Sequence, residues 1–306
     1  VAYQESEERP EDMEKIPILS RSDISRQITP IQNEEKNIDG TQVIYHDIDT
    51  NGIGYVDLLF DLSGVGAEEL PYVGILQAVL GLVDTKEYGY GELSNEINMH
   101  TGGVETSIEL YPDVTKVREK DFRATFEIKA KALYGKLPKA FEMMGEILTQ
   151  SKLDDEKRLK EILAMAKSRL QMRFQSAGHV TAAARALSYS SPMSKFKDLT
   201  GGIGYYEVVK HIEEHFEEEK ECLIATLQKL SKQLFCPDNL MLSFTAEQEG
   251  LGYMDDCVKD LKQRLYTEQV TETPCVLHLE KRNEGFHTSS KVQYVARAGN
   301  FADAGY

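Results

Sequence analysis

The chain has 306 residues, of which 41% are hydrophobic and 28% are charged, and its formal net charge is −16. These values are ordinary for a folded protein with a hydrophobic core, and the negative charge argues against binding to a nucleic-acid backbone. No apolar stretch approaches the roughly 20 residues that a membrane-spanning helix needs. The length allows one large or two ordinary domains.

Residues 1–38 are predicted to be an extended lead-in. They carry Pro10, Pro17 and Pro30 among charged residues and show little periodicity, which is typical of a segment without regular structure. The chain begins with Val1 rather than Met, and no basic region followed by an apolar one is present. We therefore expect no secretory signal and a segment cut from a longer polypeptide.

Two strands are predicted after the lead-in. The stretches 42–47 and 53–62 are rich in β-branched and aromatic residues, and Asp49-Thr50-Asn51-Gly52 between them is a strong turn signal. In the second stretch, apolar residues recur at every second position, which predicts a sheet with a well-buried face. They are Val56, Leu58 and Phe60.

Two helices and two more strands follow. Pro71 comes at the start of an apolar stripe, which predicts the first helix. A second helix over residues 92–100 is expected to end at Gly102-Gly103. Apolar residues over 104–110 and alternating apolar residues over 122–132 predict the strands.

The second half of the chain is predicted to be mainly helical. Residues 137–235 form a helical block, and a strand at 240–246 and a helix at 254–266 close the unit. The predicted breaks in the block lie near Gly178, at Ser191-Pro192 and at Gly201-Gly202. This order of elements predicts an α+β fold in which helices pack on an antiparallel sheet.

Residues 39–268 are therefore predicted to form one domain, and residues 269–306 a linker with the first strand of a truncated following domain. We assign that strand to Lys291 to Ala298, because Val292, Tyr294 and Ala296 alternate with other residues. A strand without neighbours would be a sticky edge. We expect it to borrow an edge of the main sheet or to pair with a second copy of the chain, and we favour self-association.

The order of elements and several local strings together resemble a known family. Tyr45 to Gly52 and Asp57 to Leu62 resemble the opening strands of the third domain of presequence-protease-type peptidases, a branch of the pitrilysin/insulinase zinc metallopeptidases. Tyr90 to Ser94, followed by Thr101 to Gly103, is similar to that family's second helix and its glycine stop. Asn283 to Val295 is similar to the start of the fourth domain.

The resemblance implies a clam-shell of two halves that enclose a chamber for unfolded peptides. It places the catalytic zinc outside this chain, on an H-x-x-E-H helix of the first domain. The chain is then a non-catalytic, chamber-forming part without a cofactor, whose partners are the catalytic N-terminal half of the same polypeptide and peptide substrates. The alternative is a scaffold or binding module from a catalytically inactive family member.

The resemblance also equates Pro71 to Leu76 with the zinc-binding helix of the first domain. The ligand positions would be Tyr72 and Leu76, and the general-base position would be Ile75. Zinc requires nitrogen, sulfur or carboxylate ligands. No His or Glu occurs between Leu70 and Thr85, so we expect a degenerate metal site.

A literal H-x-x-E-H occurs at His211, Glu214 and His215. The two histidines are spaced to share one helix face and could bind zinc, with Glu214 as the base. However, an apolar stripe on the opposite face predicts that all three residues are exposed. The candidate third ligands, Glu280 and Glu284, are distant and follow a linker. We predict a chance arrangement, and an autonomous metallopeptidase at these residues is the third alternative.

Other residues give weaker signals. The single histidines His46, His100 and His179 are expected to be capping or core groups, and the glycine-rich turn at residues 201–204 lacks the strand and lysine of a phosphate loop. We therefore assign no catalytic, cofactor-binding or metal-binding residue.

Acidic runs and cysteines bear on partners and compartment. The runs Glu5 to Glu14 and Glu213 to Glu221 are expected to be solvated, although an acidic wall could favour basic peptides. The four cysteines match no zinc or disulfide spacing, which predicts reduced thiols in a cytoplasmic protein. They are Cys222, Cys236, Cys257 and Cys275.

Overall fold

A computed structural model describes residues 3, 6, 9–27, 33–116, 122–268, 270–289, 291–301 and 305. The chain divides into two compact units, Val1–Gln32 and Asn33–Tyr306. In the first unit, the described residues include one short helix, α1 (Pro10–Met13). The second unit holds the sheet and all the other helices described below.

The second unit is built on a six-stranded sheet. The strands are β1 (Glu34–Ile38), β2 (Thr41–Asp47), β3 (Ile53–Asp61), β4 (Val104–Pro112), β5 (Phe122–Leu133) and β6 (Leu240–Ala246). Their order across the sheet is β1-β2-β6-β3-β5-β4. All neighbours are antiparallel except β2 and β6. The predicted α+β fold is confirmed. One pair, β2 and β6, is parallel rather than antiparallel. The long helical connection between these two strands permits this direction of pairing.

The helices of the second unit follow the predicted pattern. They are α2 (Leu70–Val79), α3 (Tyr90–His100), α4 (Leu137–Gln150), α5 (Glu156–Ser176), α6 (Gly178–Leu187), α7 (Pro192–Gly201), α8 (Ile203–Glu214), α9 (Phe216–Leu234), α10 (Gln248–Leu251) and α11 (Met254–Arg264). The three predicted breaks in the helical block are present. Two further breaks were not predicted: residues 151–155 separate α4 from α5, and His215, with backbone angles of −115° and 33°, separates α8 from α9.

The assignment of the lead-in is wrong at its end, because residues 34–38 form β1 and pair with β2. The turn between the two strands has left-handed backbone angles at Asp39 (φ 50°) and Gly40 (φ 84°). Such turns match the twist of paired strands and favour Asp-Gly. Because β1 contains a single apolar residue, Ile38, its composition did not indicate a strand.

The strand predicted at Lys291 to Ala298 is also wrong, because the described residues there form neither helix nor strand. Tyr294 lies instead against α6. Its ring is 5.7 Å from that of His179 and would be 2.8 Å from a Cβ at Gly178. Val292 and Ala296 are exposed, so the alternation does not mark the buried face of a strand, and self-association through this strand loses its basis.

One face of the sheet forms the core. Val56, Leu58 and Phe60 of β3 are fully buried, and Phe60 is opposite Phe126 of β5. Phe235, directly after α9, meets the rings of Phe60 and Phe126 edge-on, with centroids 5.2 Å away in both cases. The end of α9 is therefore fastened to the centre of the sheet.

Helix α2 lies between the helical layer and the sheet edge, in contact with α7, α8, α9 and β4. A Cβ at Gly74 would lie only 2.5 Å from the carbonyl oxygen of Thr200, so the close approach of α7 requires glycine. On the other side, the Gln77 amide donates to the Thr106 carbonyl oxygen of β4 at 3.1 Å. Leu76, between these contacts, has no exposed surface.

We expect Leu76→Ala to lower the free energy of unfolding by about 2–5 kcal/mol, because truncation of a buried leucine leaves a cavity. Urea denaturation followed by circular dichroism measures the change. Met172→Ala on α5 is the control, because that side chain is 61% exposed and should change stability by less than about 0.5 kcal/mol. An equally small effect of Leu76→Ala would contradict the packing of α2.

Candidate functional site

The helix that the resemblance equates with a zinc site has no suitable ligands. Ile75 and Leu76 are buried in the core, and Tyr72 is half-buried. Burial raises the pKa of the Tyr72 phenol, and the nearby Cys222 and Glu219 raise it further. A neutral phenol and two aliphatic side chains do not provide the donor set that zinc requires. The residues present therefore do not fit the metal.

The H-x-x-E-H residues lie on the surface, as the apolar stripe predicted. His211, Glu214 and His215 are all exposed, and the side chain of His211 is 59% exposed. Their helix does not continue through the motif, because α8 ends at Glu214. The His215 Nδ1 donates to the carbonyl oxygen of His211 at 3.0 Å, while the two rings lie 4.6 Å apart.

The candidate third ligands have other partners. Glu280 accepts from Arg282 at 2.6 Å, and Glu284 accepts from Arg185 at 2.9 Å. The carboxylate nearest to His211 is that of Glu219, at 3.5 Å from Nε2. Within the described part of the chain, no three His, Cys, Asp or Glu residues are grouped closely enough to hold a metal ion.

The glycine-rich turn between α7 and α8 holds a carboxylate of this chain. Asp198 Oδ1 accepts from the backbone N–H of Ile203 at 3.2 Å, at the N-terminus of α8. Cβ atoms at Gly202 and Gly204 would each lie 2.7 Å from the Asp198 carboxylate. The glycines thus admit Asp198, which satisfies the helix terminus.

The single histidines make local contacts. His46 hydrogen-bonds Asn33 at 2.8 Å, and His100 lies 3.5 Å from the carboxylate of Glu96. His179 packs against Tyr294 as described above. All three histidines are thus held by local contacts, and their assignment as capping or core groups stays a prediction.

The second face of the sheet carries a polar cluster that sequence reasoning missed. Glu127 is at its centre, and its side chain is only 1% exposed. Its Oε1 accepts from the hydroxyls of Tyr111 at 2.6 Å and Thr125 at 2.7 Å. Its Oε2 lies 2.9 Å from Lys129 Nζ, which is an ion pair without a well-aligned hydrogen bond. A polar or charged residue at every second position of β5, from Arg123 to Lys131, was the available signal.

The pKa values of three groups near Glu127 are shifted by burial and by their neighbours in the cluster. Burial raises the pKa of Asp57, against the opposing effect of Lys129, which is its cross-strand neighbour. Burial also raises the pKa of Tyr111, and its hydrogen bond to Glu127 raises it further. Burial lowers the pKa of Lys129, but Glu127, Asp57 and Glu109 together outweigh this effect, so the net change is upward. At neutral pH, Tyr111 is therefore a neutral donor and Lys129 a cation.

The polar face is broader than the cluster. Across β2, β3 and β6 it continues through partly exposed residues such as Ser243 and Thr245, and His46 Nε2 is 3.4 Å from the Ser243 hydroxyl. An antiparallel sheet commonly has one core face and one solvated face. The geometry thus defines a helix-backed wall with a mixed-charge surface, and among the described residues no helix could cross a membrane.

These features define the chain as an α+β domain built on one six-stranded sheet, and its described residues include no group of metal ligands. A family model described as associated with peptidases of family M16, subfamily C, matches residues 1–212. The chain belongs to this peptidase-associated family, which confirms the resemblance found in the sequence.

Relatives and solved structures agree with this assignment. The chain is 35% identical to protein HypA of Clostridium perfringens, over 99% of this chain and 31% of the relative. It is 27% identical to presequence protease 1 (chloroplastic/mitochondrial) of Arabidopsis thaliana, over 99% of this chain and 28% of the relative. The chain thus spans about a third of the length of these proteins.

A solved structure from Pseudomonas fluorescens, described as a peptidase M16 inactive domain, has a similar fold. Its TM-score is 0.52 at 11% identity, and the match covers 82% of this chain and 54% of that one. A conserved protein from Enterococcus faecalis V583 gives a TM-score of 0.53 at 12% identity, over 79% of this chain and 53% of that one. At these identities, the two structures support the fold alone.

We predict that the purified chain binds no stoichiometric zinc and cleaves no peptide, because neither α2 nor the exposed His211 and His215 offers a complete, shielded ligand set. Metal analysis after dialysis, together with a fluorescent-peptide assay, measures both. Tight one-to-one zinc and chelator-sensitive cleavage, both lost in His211→Ala, would overturn this prediction.

We expect Tyr111→Phe to destabilise the domain by about 1–3 kcal/mol, because it removes a hydrogen bond from a buried carboxylate. Tyr55→Phe is the matched control on the same face, since the described residues show no hydrogen-bond partner for its exposed hydroxyl. Thermal denaturation of the two variants gives the comparison. Equal stabilities would mean that Glu127 does not depend on Tyr111.

Proposed function

We propose that this chain is a non-catalytic, chamber-forming part of a zinc metallopeptidase that degrades unfolded peptides. The observation that carries the proposal is the polar, helix-backed face of the sheet in a member of this peptidase-associated family. The names of its presequence protease relatives support the same assignment.

The chemistry of this face suits a wall that meets many peptides. Acidic and basic groups alternate across it, including Asp57, Glu109 and Lys129, and Glu127 is held between its neighbours. Such a surface interacts weakly with many sequences, whereas an apolar wall would bind exposed hydrophobic segments tightly. The wall would contribute to catalysis by holding the peptide in a confined space and by excluding water.

The proposal includes the rest of the parent protein. The catalytic zinc belongs to an N-terminal half of the same polypeptide, and unfolded peptides are the substrates. We place the protein in the cytoplasm, because its cysteines form no disulfide among the described residues. We assign the chamber wall to the domain of residues 39–268, extended by β1, and a connecting role to residues 269–306.

The test uses the intact peptidase and a bulky side chain on the wall. We expect Ser243→Trp, on the polar face, to reduce kcat/KM for long peptides by roughly tenfold, and less for short ones, because the indole occupies chamber space. Ser168→Trp, on the exposed surface of α5, is the matched control and should leave both values unchanged. Steady-state kinetics with peptides of increasing length gives the comparison.

The same experiment separates the alternative function. A scaffold from an inactive family member would show no peptide cleavage in the intact protein, with or without added zinc. Equal activities of Ser243→Trp and Ser168→Trp in an active enzyme would instead show that this face does not border the substrate chamber.

A further inference from the structure

The segment after α11 is attached to the domain although it has no regular structure. Residues 270–289 are called the strap here. Near its start, the backbone N–H of Thr273 donates to the Gly64 carbonyl oxygen at 2.8 Å, and that of Cys275 donates to the Ser63 carbonyl oxygen at 3.3 Å. A Cβ at Gly64 would lie 3.0 Å from the Glu272 side chain, so the loop after β3 accommodates the strap closely.

The far end of the strap is held by a charged contact, called the clasp here. Glu284 accepts from Arg185 Nε at 2.9 Å and from its second terminal nitrogen at 3.2 Å, which is a bidentate pair. The Tyr189 hydroxyl also donates to Glu284. The pKa of Glu284 is lowered, first by Arg185 and then by Tyr189, with burial acting against them.

Arg185 has a second carboxylate that belongs to the helical layer. Its first terminal nitrogen lies 2.5 Å from Asp198, and the guanidinium and this carboxylate are nearly buried. Because Asp198 balances the charge of Arg185, loss of Glu284 would not leave a buried cation without a partner, which is the strongly destabilising case. The clasp can therefore open while the helices stay folded.

The strap also closes one side of a cleft. The cleft has a volume of about 580 Å³, and His278, Glu280 and Arg282 of the strap line it. Tyr72 of α2 and His211 of α8 line it as well. Movement of the strap would thus change access to the side of α2 that carries Tyr72.

We infer that the strap is a releasable element that opens and closes this cleft, and that the Arg185–Glu284 clasp controls its release. The inference goes beyond the proposed function, because it concerns the helical side of the domain rather than the polar face of the sheet. It assigns Arg185 and Glu284 a role in holding the strap and no catalytic role.

Glu284→Ala tests the inference, with Glu280→Ala as the control. Both residues lie in the strap, but the Glu280 side chain is 69% exposed and bonds only Arg282 two residues away, among the described residues. Hydrogen exchange at the amides of Thr273 and Cys275 and alkylation of the Cys275 thiol, read by mass spectrometry, report release of the strap.

We expect Glu284→Ala to raise both rates roughly tenfold, the scale of one lost charge-assisted contact, and Glu280→Ala to leave them within about twofold. Exchange at the amides of β3 and β5 should stay unchanged in both variants. Wild-type rates at Thr273 and Cys275 in Glu284→Ala would overturn the inference. Equal loss of protection in the sheet would overturn it too, because the strap would then be part of the cooperative core.

Discussion

The structure depends on the entry of β6 into the middle of the sheet. This strand pairs in parallel with β2 and antiparallel with β3, so it separates two strands that are neighbours in sequence. Phe244 of β6 is fully buried and stacks on Tyr45 of β2, with ring centroids 6.3 Å apart. The Tyr45 hydroxyl donates to the Ala246 carbonyl oxygen at 2.9 Å, and burial raises the pKa of this phenol to about 12. Without β6 the core face would be open at its centre.

A hydrogen-bonded junction fixes the end of that strand. Glu247 Oε1 accepts from the backbone N–H groups of Thr50 and Asn51 in the turn between β2 and β3. The Tyr134 hydroxyl, after β5, donates to the same carboxylate and lowers its pKa. The carboxylate of Glu247, after β6, thus joins the turn between β2 and β3 to the end of β5. These bonds help to hold the register of the central strands.

The two sides of the domain have different consequences for function. On the core side, α2 is packed between α7 and β4, and its apolar residues leave no room for a metal. On the other side, the alternating positions of β3 to β5 collect charges that are held by neighbours within the sheet. The same strand periodicity that buries Phe60 and Phe126 places Asp57 and Glu127 on the opposite face, so the wall and the core have one physical origin.

The sequence alone determined the elements whose signal is local. The alternation of Val56, Leu58 and Phe60 predicted β3, and the apolar stripe after Pro71 predicted α2 with its degenerate metal positions. The exposure of His211 and His215 followed from helical periodicity. In each case the residues that carry the signal lie within one helix or one strand. The resemblance to a peptidase family added the type of domain.

Only the tertiary structure decided the features that join distant segments. Residues 34–38 became β1 because the Asp39-Gly40 turn placed them beside β2, although their composition is polar. The stretch at 291–298 forms no strand, and Tyr294 packs against His179 of α6 instead. Three further features also join segments that are distant in sequence. They are the pairing of β6 with β2, the hydrogen bond of Tyr111 to the buried Glu127, and the clasp of Glu284 on Arg185. A local sequence pattern shows which face of a helix or strand is apolar. It does not show which other element packs against that face, because this contact forms between segments that are distant in sequence.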